Sequence, residues 1–131
     1  MKRITDEGLD FPNAPGVYVL YGLTSDKGEC VPATIDRLCG KDPDGILYIG
    51  ATGRGRAWNL AGALRGSNIR QHSAAIRYHE YPVIGELFPP AKLAIEFFPV
   101  VGEQPWREED RRVKGYAHKF GEAPPLNAAG A

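Results

Sequence analysis

Apolar positions along this chain follow two periods. Three short runs alternate as strands do. Residues 16–23 (GVYVLYGL) are rich in Val, Tyr and Leu. Alternation puts Val17 and Val19 on one face and Tyr18 and Leu20 on the other. Residues 46–50 (ILYIG) read as a second strand, pairing antiparallel with the first. In residues 92–101 (KLAIEFFPVV), Leu93, Ile95 and Phe97 alternate with Ala94, Glu96 and Phe98, a third strand. Pro99 places that strand at an edge or marks its end.

Helical spacing takes over elsewhere. Leu60 and Leu64 lie one turn apart in a helix over 58–64, which Gly66-Ser67 interrupts. A second piece spans about 68–78, with Ile69, His72 and Ile76 on one face. Pro82, Gly85 and Pro89-Pro90 make 80–91 irregular. The last helix is the best defined. Pro105 suits its first turn and Gly121 its end. Glu108, Glu109 and Asp110 precede Arg111, Arg112, Lys114 and Lys119, which complements the helix dipole. Trp106, Glu109, Val113, Tyr116 and Phe120 trace one buried face of it.

These elements give one α+β domain (α/β in the broad sense), with a three-stranded, mainly antiparallel sheet flanked by helices. Residues 1–13 form a lead-in, 14–127 the domain and 128–131 a tail. Residues 24–45 read as an enlarged hairpin loop with a short helix around 32–38. A connection of that length is usually functional or mobile. The chain of 131 residues and 43% hydrophobic content suits a single core. No apolar run approaches the roughly 20 residues of a membrane span, and no secretory leader is visible. A cytoplasmic protein with no membrane partner is expected. Cys30 and Cys39 are too few for a disulfide framework or a zinc knuckle. They read as ordinary thiols; a local disulfide or a metal pair with His72 is the alternative.

Net charge is zero, but its distribution is uneven. Residues 51–79 carry Arg54, Arg56, Arg65, Arg70 and Arg77 and no acid. Guanidinium groups grip phosphate bidentately, so this stripe is a candidate nucleic-acid surface. A solvated arginine-rich helix is the plainer reading.

Two tripeptides bear the chemistry: Gly16-Val17-Tyr18 and Tyr48-Ile49-Gly50. Each places a phenol beside a glycine at the end of a strand. Glu109 adds a carboxylate on an apolar helix face, which is costly unless paired or bound to metal. Pairing with an arginine such as Arg112 is one outcome and a metal ligand the other. Cross-strand packing would account for the tyrosines without chemistry.

The order of these features resembles the GIY-YIG nuclease superfamily, with valine for isoleucine in the first tripeptide. The likeness covers roughly residues 14–127. It extends to Glu109, Val113, Tyr116 and Pro124-Pro125-Leu126-Asn127, which look like the family's closing motif. The resemblance implies a metal-dependent endonuclease that hydrolyses DNA phosphodiester bonds. Tyr18 would be the general base or would position the attacking water. Tyr48 would hold the water or the scissile phosphate. Glu109 would bind one divalent cation, Mg²⁺ or Mn²⁺, and Asn127 would brace the site. The family's helix arginine falls on Ala63 here; Arg56 and Arg65 are the substitutes. His72 could assist proton transfer or contact phosphate, or simply satisfy a backbone carbonyl. The departure at the arginine keeps a second class open, a catalytically inactive fold that binds nucleic acid or protein. An RNA-directed nuclease is a third. The glycine loop 50–56 lacks the third glycine and the later acid of a dinucleotide-binding turn, which excludes that fold.

Overall fold

A computed structural model describes residues 1–53, 57–66 and 72–127. The chain is α+β. Strand β1 (Lys2–Arg3) is followed by β2 (Gly16–Gly22), β3 (Ile35–Arg37), β4 (Gly40–Asp42) and β5 (Ile46–Thr52). Helices α1 (Ala57–Leu64), α2 (Ser73–Glu80) and α3 (Pro82–Leu87) come next, then a 3₁₀ turn (Pro90–Lys92), β6 (Leu93–Pro99) and α4 (Pro105–Phe120). No helix among the described residues is long and apolar enough to cross a membrane.

The main sheet has the order β1-β6-β2-β5, antiparallel at every pairing. It therefore has four strands rather than the expected three. The extra strand is two polar residues of the supposed lead-in, too short and too charged for any periodicity to reveal. Arg3 explains its place: its buried side chain donates to the carbonyls of Gly28 (3.0 Å) and Ser25 (3.3 Å). β6 lies inside the sheet and stops at Pro99, opposite Gly16. A proline that ends a strand costs no ladder bond.

β2 is buried along its whole length, and its two faces serve two cores. Tyr18 and Leu20 pack with Leu60, Leu64, Ala74, Ala75 and Tyr78 of α1 and α2. Val17, Val19 and Tyr21 pack with Ile49 and with Val113 of α4. A bulge in β5 matters for the site. Leu20 faces Tyr48 and Tyr21 faces Ile46, so Leu47 is an inserted residue. The insertion turns both Leu47 and Tyr48 toward the α1–α2 side.

Residues 24–45 hold an antiparallel ribbon, β3–β4, where a short helix was expected. The ribbon is strapped to the end of α4. Cys39 N–H donates to the Phe120 carbonyl (2.9 Å), and Arg37 donates to the Ala123 carbonyl (2.6 Å) and pairs with Glu122 (3.0 Å). Asp42 is fully buried and accepts from Asp44 N–H (2.8 Å), Ile46 N–H (3.0 Å) and the Tyr116 hydroxyl (2.9 Å). It thereby fixes the entry of β5 against α4.

Three further expectations need correction. α2 begins at Ser73, and the expected residues 68–71 lie outside those described. Residues 80–91 are not irregular; Pro82 and Pro90 open a short helix and a 3₁₀ turn, where their fixed φ is an asset. Trp106 does not share the buried face of α4: it is 57% exposed. The tether of Tyr116 to Asp42 puts the end of α4 at the start of β5, and Glu109 lies at the other end of that strand. α4 thus runs opposite to β5.

Candidate active site

The site forms at the free edge of β5. β2 occupies one side of this strand, and alternate backbone groups on the other side face outward. Residues from the chain's last third satisfy them. Leu126 N–H donates to the Leu47 carbonyl (2.8 Å). The Asn127 amide takes both groups of Ile49: its Oδ1 accepts from the N–H (3.0 Å) and its Nδ2 donates to the carbonyl (3.0 Å). Two residues on, the Ala51 N–H faces the Glu109 carboxylate.

The two phenols meet on the α1–α2 side of the same edge. The rings of Tyr18 and Tyr48 are 6.0 Å apart and inclined at 38°. Gly50 makes this possible. A Cβ at position 50 would lie 2.5 Å from Tyr18 Cζ and 2.6 Å from its hydroxyl. Tyr18 therefore crosses β5 over a glycine, and its hydroxyl ends beside Tyr48. Both motif tripeptides act in this one contact.

The electrostatics couple these groups. Burial pushes the Tyr18 phenol far above its ordinary value, and Tyr48 and then Glu109 add to the rise. Burial also raises the Tyr48 phenol, again with Glu109 adding; Ser73, Tyr18 and Arg77 oppose it. Desolvation raises the Glu109 carboxyl, with the Ala51 N–H pulling the other way and Asp110 adding a little. Among the described residues no cation pairs with Glu109; Arg112, the partner expected if Glu109 were a rim carboxylate, bonds to Glu108 instead (3.1 Å).

The arginines divide. Arg65 donates to the carbonyl of Ile4, just past β1, at the sheet edge opposite β5. That contact takes it away from the tyrosine pair. Arg77 approaches the pair: it donates to the Leu126 carbonyl (2.7 Å), next to Asn127, and its charge acts on Tyr48. Arg54, Arg56 and Arg70 lie outside the described residues. His72 is the residue before α2, in extended conformation (φ −134°, ψ 115°), rather than on a helix face. It adjoins Ser73, which faces Tyr48. Sequence reasoning missed Ser73 and the Ala51 N–H, since neither carries a distinctive pattern.

The Glu109 carboxylate is an oxygen donor of the kind hard cations take. No group of three His, Cys, Asp or Glu side chains converges among the described residues. A cation at Glu109 would take its other ligands from water and from substrate, as Mg²⁺ commonly does. Set against protein-family models, curated proteins and solved structures, the chain matches none.

Proposed function

We propose that this chain is a metal-dependent endonuclease that hydrolyses DNA phosphodiester bonds, built on a divergent GIY-YIG-like plan. One observation carries the reading. Tyr18, Tyr48 and Glu109 come from three elements distant in sequence; the two phenols meet at one strand edge, and the Glu109 charge acts on both. Packing alone has no need to draw a carboxylate toward two phenols, because its charge makes both harder to ionise.

In this reading Glu109 would hold the divalent cation, which would supply Lewis-acid stabilisation of developing negative charge when bound. The chain's own groups do the rest. Tyr18, whose proton is held on by burial, orients the attacking water or a phosphate oxygen by hydrogen bonding. Tyr48, flanked by Ser73 and Arg77, does the same from the neighbouring strand. Arg77 takes the place assigned to Arg56 or Arg65, as the positive charge facing the phosphoryl group. Asn127 braces the edge of β5 at Ile49.

The test is plasmid nicking in Mg²⁺ and Mn²⁺, with structured RNA in parallel. Nicking lost in both Tyr18→Phe and Glu109→Ala supports the proposal. DNA binding without cleavage across these metals favours the inactive binding fold, which the diversion of Arg65 to Ile4 makes the second reading. Cleavage confined to RNA changes the substrate and not the site.

A further inference from the structure

Trp106 is 57% exposed, on a face of α4 whose Glu109 and Val113 are half-buried and whose Tyr116 and Phe120 are buried. Glu109 abuts Ala51, the residue before the last of β5. Trp106 is one helical turn earlier on the same face, at 300° and about 4.5 Å of rise from Glu109. It therefore lies one turn from the carboxylate, toward the end of β5. Arg107 covers part of the indole, with its guanidinium 5.3 Å from the ring centroid. Among the described residues no carboxylate pairs with Arg107, whereas Arg111 and Arg112 are both bound to glutamates.

We infer that Trp106 is a stacking platform for a nucleobase beside the bond to be cut, and that Arg107 meets the adjoining phosphate. The inference rests on the nuclease reading and adds to it how the substrate is gripped. A base has an apolar π-face and an anionic backbone within one nucleotide. An indole next to a guanidinium with no carboxylate partner among the described residues offers both complements. Every base has such a face, so the grip is tolerant of sequence and favours unpaired or distorted strands over regular duplex. The same edge that carries the chemistry thus carries a means of holding a single nucleotide out of the stack.

The test uses the full chain in a Trp58→Phe background, so that Trp106 is the single tryptophan. A single-stranded oligonucleotide of about 20 nucleotides is titrated in EDTA, followed by indole fluorescence. Binding should quench Trp106, and the affinities of all variants, including those without an indole, are read from the anisotropy of the same oligonucleotide carrying a fluorescein label. Trp106→Ala should weaken binding roughly tenfold and Trp106→Phe much less. The dependence of log affinity on log salt should be unchanged by Trp106→Ala, since stacking releases no counterions, and should become shallower by about one in Arg107→Ala. Circular dichroism confirms that the exposed-site variants are folded. If the wild-type chain binds and nicks DNA but Trp106→Ala binds equally well, the inference fails and the nuclease reading stands. If the wild type neither binds nor cleaves, both fall. Trp106-dependent association of copies, seen by sedimentation without quenching by oligonucleotide, overturns the stacking role and makes the tryptophan a contact between chains.

Discussion

The side-chain amide of Asn127 exchanges two hydrogen bonds with the backbone of Ile49, one in each direction and both 3.0 Å long. This is the bonding that a neighbouring strand would offer at one residue. An amide can do it because it carries a donor and an acceptor side by side.

Asn127→Ala should therefore destabilise the fold by about 1–3 kcal/mol, the cost of leaving half-buried backbone groups unmet. Asn127→Asp is the sharper variant. Its ionised carboxylate accepts from Ile49 N–H but confronts the Ile49 carbonyl with a second acceptor. A protonated carboxyl restores the donor. The deficit of Asn127→Asp relative to wild type should shrink between pH 7 and pH 4 in urea unfolding, while that of Asn127→Ala stays constant.

Glu109 should trade stability for function. Its carboxyl is raised in the folded state, chiefly by desolvation. A raised carboxyl favours folding below its unfolded value and opposes it as pH climbs past the folded one. Glu109→Gln should thus be more stable than wild type at pH 7, with the gain vanishing below about pH 4, where both side chains are neutral. Thermal unfolding across this range measures it. Added Mg²⁺ should raise the midpoint of wild type and leave Glu109→Gln unmoved.

Alkali should expose the buried phenols. Tyr18, Tyr21 and Tyr116 are all raised above the ordinary tyrosine value, first by burial; Tyr21 also donates to Glu96 (3.0 Å) and Tyr116 to Asp42. The stability they contribute is intact below about pH 10 and is lost as pH rises beyond it, because only the unfolded chain releases those protons. Absorbance at the phenolate band should show these tyrosines ionising together with unfolding. Tyr18→Phe should make the fall in stability above pH 10 less steep.

Two glycines should respond in opposite directions to alanine. Gly50→Ala drives a methyl into the Tyr18 ring and should cost about 1–3 kcal/mol, with the phenol displaced. Gly115 lies inside α4 with nothing within 4 Å of an added Cβ. Gly115→Ala should stabilise by about 0.5–1 kcal/mol. Guanidinium unfolding of the pair against wild type separates overpacking from helix propensity.

Arg77→Ala should reduce nicking by about 10²-fold at saturating DNA, as expected for loss of a group facing developing charge. Arg65→Ala should act through stability instead, by releasing the Ile4 carbonyl, with turnover per folded molecule kept. Single-turnover rates normalised to folded protein distinguish the two.

What could be read from the chain follows its periodicities. Alternation around Tyr18 gave the correct split of β2 between two cores, and Pro105 and Gly121 bracket α4. Adjacency along one face placed Glu109 inward. The same logic failed at Trp106, because a helical stripe says which residues align and not which of them the rest of the chain covers. Lys2–Arg3 and the β3–β4 ribbon were invisible for a related reason. They are held by side-chain bonds to distant segments, Arg3 to Gly28 and Asp42 to Tyr116, and such bonds leave no local pattern. Arg77 stood in the arginine stripe without distinction until α2 turned it toward Leu126.

An outer strand with bare amides and carbonyls invites a second molecule to add to it and so to begin aggregation. In β5 that invitation is withdrawn at Leu47 and Ile49 by the chain's own Leu126 and Asn127. The residues that complete the candidate site therefore also act as a guard against oligomeric misassembly. Variants truncated before Leu126 should come out of solution for reasons separate from any lost activity.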